Sequence, residues 1–568
     1  MGNFNLDILR PDYQLLVANY QLMLKLIQKI ENTPSSFGLW TISFLSLIAA
    51  RILIENWIEG FQSQSALFIF YEIAHTFLFF IIAYLLFLGL IRKIIPTDFR
   101  QISNILLWGY LAILTPPIID HIISRGQGFW SFYEFGGLAS LGRMFFTFFG
   151  DTPEIGITQG VRIEIALAVI LLTVYGYIKS KNIFKSLSLG LLAYLIFFVL
   201  GTFPSWITIA VEGFSKGFLA ISEVDIAKMF LTPAKIFSHG FSDIVSSLNI
   251  KMSLIYSLIF TAIVSAGLFL NYKEKFLTFL KNSRLPQLVY HGGMLCAGAG
   301  LGIIFTHPIW EVNFFNIVAF LVVLLAVCLA WMASVTVNDI ADRKIDKETN
   351  KKRPLIKNIF TVSEYKTIGI VLFAFSILFS AIVNFKVALL LVAYQALAWI
   401  YSAWPLRFKR FAYLASFISA IATLLILISG FILVSSDQNI SRLPFSIAAL
   451  LVVGLTLSLP AKDFKDVRGD RQEGVWTIPV IFGEYWGKVI VGSGIFISFI
   501  SSVILLNEFR LFWWAILLGG ASFWTVVNMK SDSSARINPR NVIRWILAWI
   551  IIYLFILTKI ILGDIARF

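Results

Sequence analysis

Charge is scarce in this 568-residue chain: Asp, Glu, Lys and Arg together make up 14% of it. A soluble globular domain carries roughly a quarter charged residues, so that class is excluded. Cysteine is scarcer still. Cys296 and Cys328 are the only two, and both fall inside apolar runs, which excludes a disulfide framework and a thiolate zinc site. The alternation that marks a membrane β-barrel is missing. The N-terminus lacks a basic stretch followed by a short apolar core and a cleavage site, so no signal peptide is expected. What fills the chain is apolar: 58% of it is hydrophobic. Runs of about 20 apolar residues recur, each long enough to cross roughly 30 Å of hydrocarbon as a helix. In lipid every backbone group must be satisfied within the protein, so an all-α integral membrane protein is expected. The net charge is +14. The Lys and Arg fall in loops expected to stay in the cytoplasm, which argues against nucleic acid as a partner.

The pattern divides the chain into three parts. Residues 1–37 form an N-terminal interfacial segment. Within it Leu15, Leu16, Leu22, Met23, Leu26, Ile27 and Ile30 lie at helical spacing, with Lys25 and Lys29 on the other side. Such a helix lies on the membrane surface or docks on the protein itself. Residues 38–275 hold six expected spans, near 38–55, 66–91, 102–123, 161–179, 184–210 and 251–271. The basic stretch Lys273 to Arg284 marks the boundary. Residues 280–568 hold nine more, near 286–305, 313–336, 365–384, 386–402, 412–434, 444–461, 486–506, 511–528 and 542–562. Arg92, Lys93 and Arg100 follow the second span, and Lys179, Lys181 and Lys185 the fourth. The basic bias therefore places the N-terminus and the loops after even-numbered spans in the cytoplasm of a cell-membrane protein.

Two of those loops carry the same acidic pattern. One reads Asn338-Asp339-Ile-Ala-Asp342-Arg-Lys-Ile-Asp346, the other Lys462-Asp463-Phe-Lys-Asp466-Val-Arg-Gly-Asp470. Aspartates at i, i+3 and i+7 share one face of a continuous helix across two turns. Carboxylates so placed repel one another unless a cation sits among them. Hard oxygen ligands suit Mg²⁺, which takes one or two carboxylates together with waters and phosphate oxygens. Two such clusters at the cytoplasmic ends of apolar helices would bracket a diphosphate, with its hydrocarbon tail running down between the helices. Arg353, Tyr401, Arg407, Lys409 and Lys462 lie around them. Arg and Lys supply charge-assisted hydrogen bonds to a leaving diphosphate. Asn338 adds a ligand or a hydrogen bond.

These residues resemble the UbiA superfamily of intramembrane prenyltransferases. Asn338-Asp339-x-x-Asp342-x-x-x-Asp346 followed by Arg353-Pro354-Leu355 is similar to the family's first signature. Lys462-Asp463-x-x-Asp466-x-x-Gly469-Asp470 with Gly474, Thr477, Pro479 and Gly483 is similar to the second, and most like the branch that includes homogentisate, chlorophyll and archaeal ether-lipid prenyltransferases. The resemblance covers about residues 280–568, including Arg284-Leu-Pro286 ahead of the first of nine spans. It departs at the third signature, commonly Tyr, three residues and Lys, because Tyr401 and Lys409 are further apart here. The resemblance implies a nine-helix bundle preceded by about six further transmembrane helices. It also implies Mg²⁺-dependent transfer from a prenyl diphosphate to a lipid-soluble acceptor, aromatic or glycerol-lipid. Asp339, Asp342, Asp346, Asp463, Asp466 and Asp470 would hold the metal, and Asn338, Arg353, Tyr401, Arg407, Lys409 and Lys462 would serve the reaction. Membrane lipid is the other expected partner.

Two rival readings share these residues. The superfamily also accommodates phosphoribosyl transfer to a polyprenyl phosphate. An ion-coupled transporter would place its acids in mid-span and break its helices, whereas these acids lie at span ends. Residues 1–275 carry no motif tied to a reaction. Glu72 with His75, Asp120 with His121, and Arg162 with Glu164 are expected to pair within the bundle or to mark a site. Gly298-x-x-x-Gly302 lies inside a span and is expected to serve close helix packing.

Overall fold

Long apolar runs fold the one way that lipid permits for an open segment, with every backbone hydrogen bond closed inside the helix. The structure, a computed structural model, describes residues 11–58, 65–126, 129–240, 243–310, 312–472, 474–530, 535–539 and 541–565. Among them fifteen helices are long and apolar enough to cross a membrane. In chain order they are Phe37–Ile58, Ala66–Ile94, Phe99–Ile123, Gln159–Ser180, Ile183–Gly201, Ile244–Asn271, Leu285–Thr306, Phe314–Ala341, Val362–Val383, Phe385–Ser402, Leu414–Val434, Phe445–Lys465, Ile478–Leu505, Phe509–Val527 and Val542–Ile560. The described strands are two residues long, the parallel pair Trp130–Ser131 with Ile155–Gly156 and the segments Lys235–Ile236 and His239–Gly240. The protein is therefore an all-α, multi-pass membrane protein. It divides into two compact units, Met1–Ala234 with Gly240–Asn271, and Lys235–His239 with Tyr272–Phe568.

In the first unit the helix Pro11–Glu31 exposes Leu22 and Leu26 along one side and is pinned at its C-terminal end. The buried Glu31 carboxylate accepts hydrogen bonds from the Tyr175 hydroxyl (2.8 Å) and the Lys179 ammonium (2.7 Å). The Asn104 amide donates to the carbonyls of Glu31 and Thr33. An apolar stripe left bare beside a docked end suits a helix lying in the membrane interface. The fifth span stops earlier than its hydropathy suggests. It ends at Gly201 instead of running to 210, Thr202 leaves the helical region (φ −110°, ψ 19°), and a separate helix, Phe203–Lys216, begins with Pro204 in its first turn. Proline has no N–H and its ring clashes with the preceding turn, so a continuous helix could not pass through it.

Several ionisable residues of this unit are held by partners other than the ones their sequence neighbours suggested. Asp120 caps the fourth span, accepting from the Thr158 hydroxyl (2.6 Å) and the Gly160 N–H (2.7 Å). Arg162 donates to the carbonyls of Phe149, Gly150 and Ile157. Arg51 pairs with Glu55 at 2.8 Å and lies 4.0 Å from Glu164. His75 hydrogen-bonds Tyr133 at 2.6 Å.

In the second unit the Gly298 spacing does what close packing requires. A Cβ on Gly298 would lie 1.8 Å from the Leu427 carbonyl oxygen, and one on Gly430 would lie 2.0 Å from that of Leu295. The seventh and eleventh spans therefore touch backbone to backbone. The thirteenth span begins at Ile478, ahead of the expected 486, with a short first turn joined to the rest across a kink at Gly483 (φ 76°, ψ 177°), a conformation open to glycine at little cost.

Candidate active site

The first acidic segment is not one continuous helix. The eighth span ends at Ala341, Asp342 takes φ −93° and ψ 8°, and a short helix, Arg343–Thr349, follows. The second segment repeats this. A 3₁₀ turn, Leu459–Lys465, opens on Pro460, Asp466 takes φ −114° and ψ 7°, and the helix Val467–Gln472 follows. Both chains bend at the middle aspartate. The expectation of a single helical face across i, i+3 and i+7 is corrected accordingly. Aspartate favours such ends because its short side chain competes for backbone and neighbouring donors.

The bend sorts the first cluster into two directions. Asp339 is fully buried and takes hydrogen bonds on Oδ2 from the Asn282 amide (2.6 Å) and the Tyr365 hydroxyl (3.0 Å). Its Oδ1 lies 3.2 Å from the Arg353 guanidinium without the alignment of a hydrogen bond. Arg353 donates to Asn282 Oδ1 (2.9 Å) and reaches Asp346 at 3.7 Å. Asp342 faces the other way. Its Oδ1 is paired with Lys409 and with Arg407 (3.2 Å), and its Oδ2 accepts from the Asn338 amide (3.0 Å). The same amide reaches the Ser402 hydroxyl at 3.3 Å.

Two bridges join the segments. The first is electrostatic only: Arg284 lies in the field of Asp339, Asp346, Arg353 and Tyr401. Lys462 hydrogen-bonds Tyr401 and lies in the field of Asp463 and Arg284. The second is a stretch of backbone. The loop carrying Arg407 and Lys409 pairs in parallel with the chain just past the second cluster. The Trp476 N–H donates to the Arg410 carbonyl (2.8 Å) and the Ala412 N–H to the Trp476 carbonyl (2.9 Å). Asp470 is held beside this strand by the Val475 N–H and by the Thr477 hydroxyl at 3.5 Å. Asp466 is mostly exposed, with Lys465 at 3.8 Å, and Asp463 is partly buried next to Lys462.

Charges in this corner are displaced from their ordinary behaviour. Burial lifts the Asp346 carboxyl to about 6, with the Arg353 guanidinium opposing. Burial pulls the Arg284 guanidinium down, with Arg353 adding to the effect and Asp339 and Asp346 resisting it. Among the described residues no three acidic, His or Cys side chains converge as a ready-made metal cage. The donors present are carboxylate oxygens, the kind Mg²⁺ takes together with phosphate and water. Asp339 Oδ1, buried and without a hydrogen bond, is an oxygen with capacity to spare.

Sequence reasoning missed Asn282 and Tyr365, which hold Asp339, and treated Arg284 only as part of the segment leading into the bundle. Arg284-Leu-Pro286 was the one signal for the last of these. Nothing in the sequence signals the first two.

Fold and site together define a multi-pass helical membrane protein with paired acidic segments gathered among cations at one end of a bundle. Residues 301–551 match the model of the UbiA prenyltransferase family. The match leaves residues 1–300 outside it. The chain is similar to a 4-hydroxybenzoate octaprenyltransferase of Citrobacter koseri, 30% identical over 198 residues, 34% of this chain and 63% of the relative. It is also similar to a digeranylgeranylglyceryl phosphate synthase of Methanosphaera stadtmanae, 25% identical over 190 residues, 33% of this chain and 66% of the relative. The chain thus spans just under two thirds of these relatives' length. A solved UbiA homolog from Archaeoglobus fulgidus bound to GPP and Mg²⁺ is 17% identical, with 49% of this chain and 96% of that one covered at a TM-score of 0.38.

Proposed function

We propose that the second unit transfers a prenyl group from a prenyl diphosphate to a lipid-soluble acceptor within the membrane, at its cytoplasmic face. The observation that carries this reading is the junction of two matching acidic segments by Arg284, Tyr401 and Lys462 on one side and by the Arg410–Trp476 backbone pair on the other. A bundle end that holds carboxylates and cations together fits a metal-bound polyanion, while the apolar helices below fit its hydrocarbon tail. The named relatives, an octaprenyltransferase and a digeranylgeranylglyceryl phosphate synthase, support a donor of this kind.

Asp339, Asp342 and Asp346 with Asp463, Asp466 and Asp470 are the residues that would hold Mg²⁺. Bound there, the metal would supply Lewis-acid stabilisation of charge gathering on the diphosphate. The chain's own cations do the rest. Arg284, Arg353, Lys409 and Lys462 donate to diphosphate oxygens as the bond to the allylic carbon breaks. Tyr401 orients Lys462, and Asn338 orients Asp342. Lys409 and Arg407, which hold Asp342 here, are placed to turn to the incoming diphosphate. The apolar walls keep water from the developing allylic cation.

Full-length protein in lipid nanodiscs, given labelled prenyl diphosphate, should release diphosphate and form a prenylated lipid. Asp339→Ala and Asp463→Ala should each abolish this while leaving the detergent-extracted protein monodisperse. Normal turnover in either variant contradicts the assignment. Product formed from labelled phosphoribosyl diphosphate and not from the prenyl donor would favour the phosphoribosyl reading.

A further inference from the structure

Asp339 is held in a closed ring of hydrogen bonds whose members come from three separate elements. The helix Lys273–Asn282 ends on Asn282, the eighth span supplies Asp339, and the ninth span supplies Tyr365 in its first turn. Asn282 uses both ends of its amide. Arg353 can only donate, so the amide atom that meets it at 2.9 Å is the carbonyl oxygen. That leaves the NH₂ group, with two protons, to face Asp339 Oδ2 at 2.6 Å and the Tyr365 oxygen at 3.0 Å. The Tyr365 hydroxyl has a single proton, and it goes to the same Oδ2 at 3.0 Å. Both lone pairs of Oδ2 are thereby taken. Oδ1 is buried and accepts no hydrogen bond. The Arg353 guanidinium lies 3.2 Å from it, off the line of one.

The ring is kept rigid from outside. The Tyr365 side chain packs against Phe279 and Phe360, with centroids 6.0 and 5.5 Å away, in a buried cluster that includes Leu355. Phe279 lies three residues before Asn282 on the same helix, so the contact that buries its ring also seats the amide. The same helix is tied to the ninth span by Lys275 and Glu364, 3.0 Å apart and exposed, a pair that takes no part in the ring. A carboxylate with both oxygens open could turn onto the nearest cation, here Arg353, and form a two-toothed pair with it. With Oδ2 filled, Asp339 presents one oxygen in one direction.

We propose that Asn282 and Tyr365 are positioning residues: by filling Oδ2 they aim Asp339 Oδ1 as a single-oxygen ligand for the divalent cation that accompanies the diphosphate. This rests on the prenyl-transfer reading. Mg²⁺ demands near-ideal octahedral geometry, so a ligand whose direction is set beforehand suits it. Neither residue has to touch the substrate, since both act through Asp339. Hydrogen-bond partners of metal ligands typically change metal affinity by about 10- to 100-fold when removed.

The test uses the full chain in nanodiscs with geranyl thiolodiphosphate. Mn²⁺ is the probe ion, and electron paramagnetic resonance reads its free concentration. Tyr365→Phe removes the hydroxyl and keeps the ring against Phe279 and Phe360, whereas Asn282→Ala removes the amide. Each should weaken Mn²⁺ binding by about 10-fold or more. In turnover assays with geranyl diphosphate, Tyr365→Phe should raise the half-saturating Mg²⁺ concentration by a similar factor. Its turnover at saturating Mg²⁺ should return to within about twofold of the wild type, which a damaged fold would not allow. Lys275→Gln loosens the same helix and leaves the ring intact, so it should bind Mn²⁺ within about twofold of the wild type. Wild-type Mn²⁺ affinity in either ring variant overturns the proposal. So does turnover that stays low in Tyr365→Phe at saturating Mg²⁺. A loss in Lys275→Gln as large as in Asn282→Ala overturns it too, because it would assign the effect to seating of the helix. A wild type that binds no Mn²⁺ together with the thiolodiphosphate sinks the prenyl-transfer reading itself, and the proposal with it.

Discussion

Arg284 stands between the two acidic segments, in the field of Asp339 and Asp346 on one side and beside Lys462 on the other. In the proposed scheme a side chain in that position would donate to a diphosphate shared by the two clusters. Arg284→Ala is expected to weaken binding of a non-hydrolysable prenyl diphosphate by about 10- to 100-fold, the range of a lost charge-assisted bond. Arg284→Lys should restore only part of it, because an ammonium lacks the planar fork. Equilibrium binding in nanodiscs measures both. Asp346 makes a second prediction. Its carboxyl, lifted by burial to about 6, holds a proton below that pH and gives it up above. Proton and metal compete for the same oxygens, so the Mg²⁺ concentration for half-maximal activity should rise as pH falls from 7 to 5. Asp346→Asn should flatten that dependence, and a Mg²⁺ titration at each pH reads it. The aspartates and basic residues of this site were legible in the sequence because carboxylates at span ends are conspicuous in so apolar a chain. Asn282 and Tyr365 were not. Each is an ordinary residue until folding brings a distant helix against it, as Tyr365 is brought to Asp339.

Among the elements, the span pattern was legible because lipid leaves a single solution for an apolar run of this length. Its ends were less so. The fifth span stops at Thr202, ahead of Pro204, where hydropathy alone reads straight through, and the thirteenth begins at Ile478, before the Gly483 break past which the apolar run was expected to start. The bends at Asp342 and Asp466 escaped the periodicity argument, since spacing describes a continuous helix and these residues end theirs. Gly298 shows an element-scale constraint that spacing did signal. With the Leu427 carbonyl oxygen 1.8 Å from any added Cβ, Gly298→Ala must push the seventh and eleventh spans apart. Such overpacking costs about 1–3 kcal/mol, and Gly298→Val should cost more. Gly300→Ala, whose Cβ would meet nothing within 4 Å, should leave the melting temperature of the extracted protein unchanged. Thermal unfolding in detergent separates the three.

For the whole molecule, the division into two compact units puts the acidic segments and the cations around them in the second. The first unit satisfies Asp120, Arg162 and Glu31 internally, as residues of a structural bundle do. Four crossings lie between the end of the eighth span and the end of the twelfth, so both acidic segments should emerge on one side. With Cys296 and Cys328 replaced by Ala, Lys351→Cys and Lys465→Cys should react with an impermeant maleimide from the cytoplasmic side. Asp437→Cys, one crossing away from the second segment, should react from the opposite side. Labelling of inside-out and right-side-out vesicles decides it.

The central claim is that both acidic segments grip one diphosphate. The most direct measurement is Mg²⁺-dependent binding of geranyl thiolodiphosphate to the wild type, Asp339→Ala, Asp463→Ala and the double variant. A shared ligand predicts that each single change removes most of the binding and that the double costs little beyond the worse single, because coupled sites are not additive. If Asp463→Ala binds as tightly as the wild type while Asp339→Ala does not, the two segments do not share a ligand and the account is contradicted.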